Sequence, residues 1–138
     1  MATPATLADF EALLQASKQQ AELQRLLFVF VRRELDEHAT SAQCESFARG
    51  EGGHLQPCLC VDKAPDDIAS FAALVAESEH TGQHWDIVFV SSLEGRGGIA
   101  PNSDEAGQPL RFMVNAINDG RGSEFAAFDR EGRALHFL

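Results

Sequence analysis

The chain has 138 residues, 44% of them hydrophobic, which is enough for one domain (1–138) with a real core and too little for two of ordinary size. Its formal net charge of −10, from 21 acids against 11 bases, argues against partners that need a basic surface, so neither nucleic acid nor anionic membrane is an expected ligand. No apolar run approaches the roughly 20 residues of a membrane helix, and Met1–Thr6 lacks the pattern of a secretory signal, so a cytoplasmic location is expected.

Thr6 stands before Leu7, Phe10 and Leu14 at helical spacing and is the expected cap of a first amphipathic helix reaching about Gln20. Leu26–Val31 is an apolar run without alternation, which reads as a strand buried on both faces of a sheet and implies parallel pairing. A short second helix is expected from Thr40, with Gln43 at capping-box spacing, to Gly50, its apolar face made by Cys44 and Phe47. Leu55–Val61 reads as the second strand, with Pro57 near its start.

Pro65, Asp66 and Asp67 suit a helix start, and Ile68, Phe71, Leu74 and Val75 mark the buried stripe of a third helix ending near His80. Ile87–Val90 is the third strand. It is followed by the glycine-rich turn Gly95–Gly98 and by a fourth helix capped at Asn102, expected to start near Asp104, bend around Gly107 and Pro109, and run to Gly120. Phe125–Phe128 and Ala134–Phe137 flank a loop ending in Gly132 and should close the chain as an antiparallel pair. The order describes a three-layer α/β/α sandwich with a mixed sheet, three parallel strands and a C-terminal antiparallel hairpin.

If the three strands are parallel, their carboxyl ends share one edge. That edge then gathers Arg32 with Arg33, Asp62 with Lys63, and Ser91 and Ser92 with Arg96. Amides of Gly97 and Gly98 would assist the cations, which makes a small anion such as a phosphorylated or carboxylated metabolite the expected ligand. The alternative is that polar residues merely follow buried strands. The turn EGRGG is no nucleotide fingerprint, because it lacks the Lys-Ser/Thr of a P-loop and no glycine completes GxGxxG.

Cys58 and Cys60 alternate along a strand and should share one face, with Cys44 near them. Their spacing is unlike that of zinc sites, so reduced, metal-free thiols are expected. His80 and His84 have i, i+4 spacing, but Gly82 should end the helix that would align them. Ser91, Asp86 and His54 form a triad only on paper, since no G-x-S-x-G elbow surrounds the serine.

Taken together, RLLFVFV, CVDKAPDD, WDIVFVSSL with EGRGG, and FAAFDREG resemble a family of small bacterial proteins of about this length, often labelled ribonucleotide reductase subunit alpha. The resemblance runs from Arg25 to Gly132 and implies a recurring fold carried by a complete short chain. The label would imply a thiyl cysteine, a reducing cysteine pair and a much longer barrel. No residue here matches that pattern, and none is assigned a reductase role. The expectation is a non-enzymatic binding or regulatory module without a cofactor, partnered by an anionic metabolite or another protein. The other readings are a small enzyme acting on an anionic metabolite and a structural partner in a complex. As acid or base candidates an enzyme would offer Asp62, Asp86 and Glu94. The last strand, an edge with little chain after it, is the expected homodimer contact.

Overall fold

The computed structural model describes residues 9–49 and 52–136. Helix α1 is Phe10–Lys18, strand β1 Gln24–Glu34, helix α2 Ser41–Ala48 and strand β2 His54–Lys63. Helix α3 is Phe71–Glu79, strand β3 Ile87–Glu94, helix α4 Ser103–Asn118, and the short strands β4 and β5 are Ala126–Phe128 and Ala134–Leu135. Asp9 caps α1, its carboxylate accepting from the Ala12 amide at 2.9 Å. The expected cap Thr6, the stop at Gly50 and the strand end at Phe137 lie outside the described residues.

The caps follow the side-chain chemistry of the sequence. Thr40 and Gln43 form a reciprocal capping box on α2, and Asn102 accepts from Glu105 at the start of α4, which runs on through Pro109. The third helix differs from expectation. Pro65–Asp67 makes a separate single turn of 3-10 helix, and α3 begins only after Ser70, whose hydroxyl accepts from the Ala73 amide.

One five-stranded sheet has the order β2-β1-β3-β4-β5, and every neighbouring pair is antiparallel. The expected mixed sheet with three parallel strands is therefore wrong. Helices do cover both faces, and that is why β1 lacks alternation: Leu26, Phe28 and Phe30 pack under α1 and α3, while Leu27, Val29 and Val31 pack under α4. An apolar run reports burial on two faces, and either strand direction satisfies it.

Connections decide the direction. Helix α2 has no buried residue and stays at one end of the sheet, so β2 returns beside β1 as in a wide hairpin. Helix α3 does cross over, and β2 and β3 run the same way, but β1 lies between them. Within β2 the register slips between Phe30 and Val31, so Cys58 is the extra residue of a β-bulge. The bulge turns the partly buried Cys58 against the core on the α1 and α3 face, whereas Cys60 lies opposite Val29, whose side chain faces α4. The two thiols thus face opposite sides of the sheet, against the expectation from simple alternation.

Candidate functional site

Antiparallel pairing of β1 splits the expected edge. The start of β1 and the carboxyl ends of β2 and β3 meet at one end of the sheet, which brings together Asp62, Lys63, Ser91, Ser92, Arg96, Gly97 and Gly98. Arg32 and Arg33, at the carboxyl end of β1, lie at the opposite end. There the Arg32 Nε–H donates to Glu34 at 3.2 Å, and the Arg33 amide donates to Asp86 at 2.8 Å. Arg32 is no part of a common site with the other seven residues.

Most charges at the first end are already matched. The Arg25 guanidinium pairs with Asp62, whose other oxygen accepts from the Ser103 hydroxyl at 3.1 Å. Lys63 reaches Glu77 at 2.8 Å. Ser92 donates to the Gln24 side-chain oxygen at 3.0 Å, and Gln24 is itself buried. Arg25 and Gln24 belong to the site although the sequence reading passed over them. They stand at the start of a strand, which becomes part of this end only once its neighbours run antiparallel.

The glycine turn closes a tight hairpin. The Arg96 and Ile99 backbones exchange hydrogen bonds of 3.1 and 2.9 Å, with Gly97 at φ +58° and Gly98 at φ +81° between them. Two positive φ values are what an I′ hairpin turn requires, and glycine adopts them without steric cost. The two central amides point at one carboxylate: Gly98 N–H donates to Glu22 Oε1 at 3.1 Å and Gly97 N–H to Oε2 at 3.3 Å. The anion on these amides is thus the chain's own Glu22. The Arg96 side chain is exposed and has no hydrogen bond or ion pair among the described residues.

Beside this turn a groove of about 510 Å³ opens between α1 and β3. Leu13, Ala16, Leu26 and Val90 give it apolar walls, and Ser91 and Ser92 lie along its strand side.

The acid and base candidates do not converge. Asp62 and Glu94 are at one end and Asp86 at the other, where it lies 3.1 Å from the His84 ring nitrogen. Ser91 is likewise at the end remote from Asp86 and His54, so the paper triad has no geometry. Burial pushes the Cys58 thiol up, with Arg32 opposing and Asp86 and Glu34 adding to the shift. Cys58 Sγ lies near the Phe30 and His84 carbonyls, at 3.4 and 3.6 Å. Partial desolvation of its thiol, with Cys58 adding to it, also raises Cys60 although the residue is largely exposed, and Cys44 is exposed on α2 instead of packing beside them. Among the described residues no three His, Cys, Asp or Glu side chains cluster closely enough to hold a metal ion, and no helix is long and apolar enough to cross a membrane.

Comparison with protein-family models, curated proteins and solved structures finds no match to this chain.

Proposed function

We propose that the chain is a non-catalytic binding or regulatory module whose ligand carries a carboxylate or phosphate and binds at the glycine turn. The observation that carries this reading is the pair of hydrogen bonds from Gly97 and Gly98 to Glu22, because two convergent amides that hold one carboxylate can hold another. An incoming anion takes the place of Glu22 and recruits the uncommitted guanidinium of Arg96, the residue before Gly97. Lys63 and Asp62 stand across β1 from the turn and contribute little net charge, each being paired with an internal partner.

Glu22 sets the threshold for binding. An external anion must displace a tethered one, so weak monovalent anions lose and multivalent carboxylates or phosphates win. Calorimetry with citrate and with inorganic phosphate tests this. Both should bind the wild type, Glu22→Gln should bind more tightly, and Arg96→Ala should weaken binding about tenfold, the loss of one charge-assisted contact. Absence of heat for both anions with wild type and Glu22→Gln alike would reject the reading.

A further inference from the structure

The Gly95 N–H donates to Leu23 O, directly across from it in the β1–β3 register, at 2.8 Å. In an antiparallel pair such bonds recur at every second residue, so the odd residues of β3 turn their backbone toward β1 and the even ones turn the other way. Strand β4 covers Val88 and Val90 and goes no further. Ser92 and Glu94 extend past it, both are exposed, and their N–H and C=O groups have no partner among the described residues.

This notch differs from the other edges of the sheet. The same alternation turns Pro57, which has no N–H, toward the outer edge of β2, and the bulge at Cys58 breaks that edge further. Among the described residues strand β5 spans only Ala134–Leu135, and Arg133 before it is bridged to Asp9. Beyond the bulge Cys60 and Asp62 also turn their backbone outward, but the notch, among the described residues, is the open stretch with an apolar groove beside it, on the α1 face toward which Ser92 and Glu94 point their side chains.

We propose that the open end of β3 is a docking site for an extended, basic segment of another protein, which adds as a strand antiparallel to β3. Two residues of the incoming strand lie opposite Glu94 and Ser92 and send their side chains to the α1 face. The one opposite Glu94 comes first and meets a carboxylate with no ion-pair partner among the described residues. The one opposite Ser92 follows two positions later and enters the apolar groove under Leu13 and Ala16. The recognised pattern is thus a basic residue followed, two positions on, by an aliphatic one. Charge selects this occupant over a second copy of the chain: pairing two copies would join two chains of net charge −10 and leave both Glu94 carboxylates without a cation.

The inference is independent of anion binding at the glycine turn and is tested separately. The probe is an acetylated six-residue peptide with lysine two positions before valine, titrated into isotopically labelled full-length protein. Saturation should be reached at millimolar peptide or below, with the Ser92 and Glu94 amides shifting and gaining protection from hydrogen exchange. A peptide with glutamate for lysine should bind at least about fivefold more weakly. A peptide N-methylated at the residue opposite Ser92 should lose binding by about tenfold or more, with the protein itself unaltered. The Glu94→Gln variant should abolish the preference for lysine. Equal binding of the N-methylated peptide, shifts confined to β2, or no binding by any peptide would overturn the proposal. So would protection of Ser92 and Glu94 that grows with protein concentration alone, which would name a second copy as the occupant.

Discussion

Arg130 lies over the fully buried Trp85, its guanidinium carbon 4.4 Å from the ring centroid, and donates to the Trp85 carbonyl at 3.2 Å. The same guanidinium reaches Glu79 at 2.6 Å, while the indole N–H donates to Ser78 at 2.8 Å. One side chain from the β4–β5 loop thus ties α3 to the entry of β3. Arg130→Ala should cost about 1–3 kcal/mol through the lost cation–π contact and the carbonyl left without its donor. Arg130→Lys should recover only part of this, because a point charge cannot stack and donate in two directions at once. Urea unfolding of the two variants checks both values.

Gly95 and Gly98 make a paired test of the turn. A Cβ at Gly95 would stand 2.2 Å from the Ile99 carbonyl oxygen, so Gly95→Ala must push the hairpin open and should cost about 2 kcal/mol or more. A Cβ at Gly98 meets nothing within 4 Å, and Gly98→Ala carries only the conformational penalty of φ +81°, about 1–2 kcal/mol. Thermal unfolding should rank the two in that order.

The existence and approximate position of these elements were legible because apolar spacing and capping residues are local signals. Thr40 with Gln43 and Asn102 with Glu105 cap helices where their side chains imply. Strand direction was not legible, because Leu26–Val31 answers only to the helices above and below it. The error then passed into the site: with β1 reversed relative to its neighbours, Arg32 leaves and Arg25 takes its place beside Asp62. Glu22 was hidden for the same reason. Leu23 opposes Gly95, so Glu22 falls opposite Arg96 and next to the turn only in an antiparallel register. The bulge at Cys58 had no signal beyond Pro57 one residue before it.

Asp62 binds Arg25 and Ser103 together, with its side chain 17% exposed, so its removal strands two donors at the end of the sheet. Asp62→Asn should lower stability by about 1–3 kcal/mol, the range for hydrogen bonds to a charged group. In a binding module of this kind the same variant leaves citrate affinity within a few-fold of wild type. Calorimetry alongside urea unfolding separates the two effects.

Cys58 and Cys60 give stability a dependence on alkaline pH. Burial raises both thiols in the folded protein, so at high pH the unfolded chain releases these protons more readily. The stability gained by keeping them neutral is complete below the unfolded value of about 8.5 and is lost as pH climbs through the higher folded values. Urea midpoints measured from pH 7 to 10 should therefore fall less steeply in a Cys58→Ala, Cys60→Ala double variant than in the wild type. Equal slopes would mean that the thiols titrate alike in both states.

The occupation of the glycine turn by Glu22 is most directly tested by following the Gly97 and Gly98 amide resonances during a citrate titration of the wild type and of Glu22→Gln. Both resonances should move in the same saturable transition, at lower citrate in Glu22→Gln than in the wild type, and the variant without citrate should show Gly97 and Gly98 displaced from their wild-type positions. Amides that stay fixed through the titration in both proteins would contradict anion exchange at the turn.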